Sequence, residues 1–187
     1  MPVVEVHILE GYDDTQKQRL GGALTDAVLR VMPAAPEAIT ILIHELPNSA
    51  YMRGGQTRTP APARPDAVEL VHEYLGALEG RDLPKAKTFL SQEFQMRFPG
   101  AAPMQTLEQL IDWAKPRYRF VTKSYDGFDQ AQSGVISIVY CHGTLVGEWP
   151  DGTPFANIRF IDRFEVTGGL ITHQDVWNDI AETKALP

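Results

Sequence analysis

Proline at position 2 carries the most distinctive chemistry in this 187-residue sequence. Once Met1 is removed, its nitrogen is a secondary amine at the start of the chain. An α-amino group titrates near ~8, below any lysine, and desolvation or a nearby cation lowers it further. A neutral ring amine near pH 7 can take a proton from one atom of a substrate and return it to another, which is general acid–base catalysis without a cofactor. With Met1 retained the nitrogen is an amide and that chemistry is absent. Arg53 and Arg58 lie in the same half of the chain, each able to grip an anionic oxygen through two N–H groups.

A second group of chemistry-bearing residues lies far downstream. In Asn157-Ile-Arg-Phe-Ile-Asp-Arg-Phe-Glu-Val166 the alternation places Ile158, Phe160, Phe164 and Val166 on one face with Asp162 among them. Burial disfavours the charged form of such a carboxyl, so it can stay protonated and donate a hydrogen bond to a developing oxyanion. The alternative is an Asp bonded structurally to backbone or to an arginine. On the next strand Ile171, His173, Asp175 and Trp177 alternate together, and Asp175 is expected across the same cavity as a base. His142 alternates with Ile136, Ile138 and Tyr140 and so is expected on an apolar side. No His, Asp or Glu spacing reads as a metal site, and Cys141, the single cysteine, reads as a buried strand residue.

Two groups of secondary-structure elements carry these residues. Val3, Val4, Val6, Ile8 and Leu9 form a first strand. Gly11-Tyr-Asp-Asp14 starts a helix carrying Leu20, Leu24, Ala27, Val28 and Val31, which Pro33 stops. Ile39, Ile41, Leu42 and Ile43 form a second strand, so the order implies a parallel βαβ unit, and Tyr51-Met-Arg-Gly-Gly55 reads as a terminal turn or hairpin. Residues 56–65 hold three prolines and no large apolar side chain, and read as a linker. Beyond it come helix 66–78, a short helix after Asp82, and a strand with Phe94, Met96 and Phe98. Helix 107–115 follows, with a Thr106/Gln109 capping box. Strands near 117–125, 134–146, 154–166 and 170–177 complete the chain. The fold class is therefore α+β: a βαβ domain over 1–55, the linker 56–65, and helices with a curved antiparallel sheet over 66–187.

Bulk properties narrow the partners. A net charge of −7 argues against a nucleic-acid surface. No apolar run reaches the ~20 residues of a membrane helix, and the start lacks a signal-peptide pattern, so a cytoplasmic protein without membrane association is expected. About fifty-five residues are few for an independent core, which predicts a homo-oligomer.

Pro2-Val-Val-Glu-Val-His-Ile-Leu-Glu-Gly11, Gln16-Lys17 and Gly54-Gly55 resemble the 4-oxalocrotonate tautomerases. The resemblance implies a dimer- or hexamer-forming subunit, no cofactor, a small organic substrate, and a terminal proline that moves protons between carbon and oxygen. The family's two substrate-binding arginines would fall at Tyr12 and Thr40, and its pocket aromatic at Tyr51. Arg53 stands near enough to replace the missing cations. Phe94-Gln-Met-Arg-Phe-Pro-Gly100, Phe160-Ile-Asp-Arg-Phe164 and Gly169-Leu-Ile-Thr-His-Gln-Asp-Val-Trp177 resemble the SnoaL-like, nuclear-transport-factor-2-like domains. That likeness implies a cone-shaped pocket domain, with Asp162 at the oxyanion-binding position of ketosteroid isomerases and Asp175 at a catalytic position of limonene-epoxide hydrolases. The leading expectation is a cofactor-independent tautomerase or isomerase acting on an enolisable carbonyl compound through Pro2. The alternatives are a SnoaL-like cyclase, isomerase or hydrolase using Asp162 and Asp175, and a non-catalytic oligomer that binds a small molecule.

Overall fold

The computed structural model describes residues 1–185; positions 186 and 187, the end of the second domain as read from the sequence, lie outside the described residues. The chain divides into two compact units, Met1–Ala63 and Arg64–Pro187.

In the first unit, strand β1 (Val3–Leu9) pairs in parallel with β2 (Thr40–Leu46), in register from Val3 opposite Thr40 to Leu9 opposite Leu46. Helix α1 (Asp14–Leu29) connects them. Asp13 caps it, and the Gln16 side chain reciprocates in a capping box. The helix ends at Leu29, four residues before Pro33, so Val31 lies beyond it and is 81% exposed instead of packing. A hairpin of β3 (Met52–Arg53) and β4 (Gln56–Thr57) turns through Gly54 and Gly55, both at positive φ. The segment read as linker therefore begins as a paired strand.

No side chain in Met1–Ala63 is fully shielded from solvent, and Val3 and Leu42 stand exposed on β1 and β2. The two-stranded β1–β2 sheet leaves an outer edge on each strand. Such edges and apolar faces are what subunit association covers.

The second unit opens with α2 (Ala67–Glu79), whose N-cap Asp66 accepts from the Val68 and Glu69 amides, and α3 (Leu83–Thr88). Strand β5 (Leu90–Arg97) and helix α4 (Leu107–Ala114) follow, the helix with the Thr106/Gln109 capping box expected from sequence. Then come β6 (Phe120–Ser133), β7 (Ile136–Glu148), β8 (Pro154–Thr167), β9 (Leu170–Asn178) and a short α5 (Ile180–Ala185) with no sequence counterpart above. The sheet order is β5-β9-β8-β7-β6. It is mixed rather than antiparallel, because β5 joins β9 in parallel.

Bulges bend this sheet. One leaves Asp126 unpaired, so β6 runs on to Ser133 where the sequence suggested an end near 125. Another puts Thr172 as an extra residue between the pairs Glu165–His173 and Val166–Ile171. Between the helices and the sheet lies the core, where Val71, Tyr74, Met96, Val139, Cys141, Phe164 and Ile171 have no exposed area.

Candidate functional site

The first unit separates its expected site residues into two places. Pro2 sits at the entrance of β1, where its carbonyl accepts from the Thr40 amide at 3.0 Å. Pro2 and Thr40 are thus neighbours. At the other end of the same strand a cavity of about 410 Å³ is lined by His7, Leu9, Tyr12, Tyr51, Arg53 and Arg58, among others. Arg53 donates to the Tyr51 hydroxyl at 3.3 Å, and the Tyr12 hydroxyl donates to the Ala61 carbonyl at 2.9 Å. The seven residues of β1, at about 3.3 Å each, hold the two places roughly 20 Å apart. One subunit does not bring Pro2 to the arginine pocket.

The parallel register also gathers Glu5, His7 and His44, whose ligand atoms lie within 4.8 Å of one another on the exposed face of β1–β2. The two imidazoles stack with centroids 4.7 Å apart. Linear spacing hides this group because its members come from strands joined by a whole helix.

In the second unit Asp162 is completely buried, as the alternation of β8 indicated. What the sequence did not reveal is its partner. Lys123 of β6 donates to Asp162 Oδ2, and the Gln174 side-chain amide approaches the same oxygen at 3.4 Å. Gln174 in turn accepts from the Tyr74 hydroxyl at 3.3 Å. Asp162 Oδ1 is buried without a hydrogen-bond partner among the described residues. Burial pushes the Asp162 carboxyl above the usual carboxylate range, opposed by the Lys123 ammonium and the Gln174 amide. The signal for Lys123 was its inward place in the alternation Val121, Lys123, Tyr125, all three of which line one cavity.

Asp175 and His142 do not join Asp162. The bulge at Thr172 shifts the alternation of β9, so that Ile171, Gln174 and Val176 point inward while His173, Asp175 and Trp177 do not. Asp162 pairs laterally with Val176, and Asp175 with Arg163. The Asp175 carboxylate meets His173 Nε2 at 3.0 Å and lies 3.9 Å from Arg163. It belongs to the outer face of the sheet and cannot serve as a base across the inner cavity. His142 shares that outer face: its neighbours Cys141 and Gly143 are buried, whereas its own side chain is 44% exposed, with Nδ1 4.0 Å from Asp129. Cys141 is buried as expected, and burial pushes its thiol up to about 12.

Comparison with known proteins divides along the same line. The family model described as tautomerase enzyme matches residues 2–59. A 2-hydroxymuconate tautomerase of Stutzerimonas stutzeri is 33% identical over 57 residues, 30% of this chain and 90% of that protein. A 2-hydroxymuconate tautomerase of Pseudomonas putida is 34% identical over 56 residues, 30% of this chain and 89% of that protein. Among solved structures, a nuclear-transport-factor-2-like protein of unknown function from Burkholderia pseudomallei superposes with a TM-score of 0.53 at 17% identity, over 62% of this chain and 92% of that one. The CaMKII hub of S. rosetta gives 0.52 at 16% identity, over 64% and 99%. At such identities the likeness is one of fold, and the rest of the chain has the nuclear-transport-factor-2-like fold. Through residues 2–59 the chain belongs to the tautomerase family.

Proposed function

We propose that this protein is a cofactor-independent tautomerase that interconverts enol and keto forms of a small carbonyl compound, with Pro2 as acid and base. The observation that carries the reading is the family match that begins at Pro2 and spans nearly the whole length of two 2-hydroxymuconate tautomerases. With Met1 removed, the neutral ring nitrogen takes the hydroxyl proton of the enol. The oxygen's electron pair forms C=O, the C=C pair moves to carbon, and the protonated amine delivers its proton there. Arg53 and Arg58 hold the anionic oxygen and Tyr51 walls the pocket. Tyr12 and Thr40 stand where the resembling tautomerases carry arginines, so the favoured substrate has one anionic group rather than two.

The separation of Pro2 from the arginine pocket calls for two copies of the chain. An antiparallel pairing of two β1 edges would set Pro2 of one copy beside the far end of β1 in the other, next to that copy's pocket. The unshielded first unit supports the same assembly.

Intact mass spectrometry should show the chain without Met1. Pro2→Ala should abolish ketonisation of phenylenolpyruvate while the circular-dichroism spectrum persists. A retained Met1, or unchanged turnover in Pro2→Ala, refutes the mechanism, and a monomer by light scattering refutes the shared site.

A further inference from the structure

The second unit contains a cavity of about 510 Å³ that the proposed tautomerase chemistry does not use. Helices α2 and α4 wall it with Leu75, Leu78, Leu107, Leu110 and Ile111, and β6 contributes Val121, Lys123 and Tyr125. Apolar walls of this extent suit an apolar or aromatic body.

The charged residues of the lining decide the rest. Arg81, Lys115, Arg119 and Lys123 face a single carboxylate, Glu79, in a chain whose net charge is −7. Carboxylates outside the lining neutralise three of these four cations, so which of them keeps donors free decides what the cavity can hold. Arg119 is paired with Glu148 at 2.5 Å and Lys115 with Asp112 at 2.8 Å, whereas Arg81 has no ion-pair partner among the described residues.

Lys123 differs from the three others. Its side chain is 21% exposed, and its ammonium lies 4.6 Å above the Phe160 ring and is fixed from behind by Asp162, which is wholly buried. An ammonium has three N–H donors. Asp162 is the one hydrogen-bond acceptor Lys123 has among the described residues, which leaves donors for a ligand in the cavity. Gln174, bonded to Tyr74 and Asp162, also lines the cavity and braces the carboxylate that holds the lysine.

We infer that this cavity is a second binding site, for an amphipathic monocarboxylate with an apolar or aromatic body, and that Lys123 held by Asp162 anchors the carboxylate. It stands independently of the Pro2 reading, since every residue it uses lies in the second unit.

The matched probes are 4-phenylbutyrate and 4-phenylbutanol, alike except for the carboxylate. Trp113, Trp149 and Trp177 all lie beyond residue 63, so quenching of tryptophan fluorescence in the full-length protein reports on the second unit alone. The expected result is saturable binding of 4-phenylbutyrate, about tenfold or more tighter than the alcohol. Lys123→Met should lose that preference while affinity for the alcohol is retained. Where Lys123→Met fails to fold, the double variant Lys123→Met with Asp162→Asn, which leaves no unpaired buried charge, should show the same loss. Equal affinity for acid and alcohol in the wild type overturns the inference. So does 4-phenylbutyrate affinity unchanged within about twofold in a folded Lys123 variant, or no saturation by about 1 mM.

Discussion

Lys123→Met tests the electrostatics of the second unit most directly. The substitution removes what is, among the described residues, the one charged partner of a carboxylate that has no exposed area and one oxygen already without a hydrogen bond. Breaking a buried pair from one side costs about 3–5 kcal/mol. The cost depends on pH, and its sign follows from Asp162. A carboxyl whose folded pKa is raised holds its proton more tightly in the native state than in the unfolded chain. Its contribution is therefore complete below the ordinary value near 3.8 and is lost as pH rises toward the folded value. In the wild type the ammonium opposes that rise. Without it the rise is larger, and every tenfold gain in proton affinity is worth about 1.4 kcal/mol. Urea unfolding followed by tryptophan fluorescence should thus show the full penalty at about pH 7.5 and most of it gone at about pH 4.5, where a proton replaces the ammonium. Adding Asp162→Asn should restore stability to within about 1 kcal/mol of wild type. A penalty below about 1 kcal/mol at the higher pH, or one independent of pH, refutes the claim that Lys123 neutralises a buried charge.

Further outcomes are expected elsewhere. Arg53→Ala should lower kcat/KM for phenylenolpyruvate by about 10- to 100-fold, the worth of a hydrogen bond to a charged group, with oligomer mass unchanged. Gly143→Ala should destabilise the second unit by about 3 kcal/mol in the same urea assay, because its Cβ would stand 1.9 Å from the Ser124 carbonyl oxygen. Cys141, with its thiol pushed up to about 12 by burial, should react with Ellman's reagent only after denaturation.

The two-unit organisation and most element positions were legible because local chemistry fixes them. Asp13 and Thr106 cap helices through residues three positions on, and Gly54-Gly55 supplies the positive φ of a hairpin. The even-numbered inward face of β8 also follows from alternation alone, which is why the burial of Asp162 can be read from the sequence. The same logic misplaced Asp175 and His142. One extra residue at Thr172 moves everything beyond it on β9 to the other face, and no local propensity marks that residue. On β7 the apolar pattern was present on both faces, with Ile136, Ile138 and Tyr140 outside and Val139, Cys141 and Leu145 inside. Alternation there assigned two faces without saying which one the helices cover.

Short-range pattern alone fixes the proline at position 2, the family match of the first unit, the α+β class and the burial of Asp162. These rest on residue identity and on periods of two or 3.6, which are properties of a few neighbouring residues. The folded arrangement is what runs β5 parallel to β9, brings Lys123 to neutralise Asp162 from two strands away, and sets Pro2 a full strand length from the arginine pocket. Those facts depend on register and strand order, which are set by contacts between residues tens of positions apart and leave no trace in any short stretch of the chain.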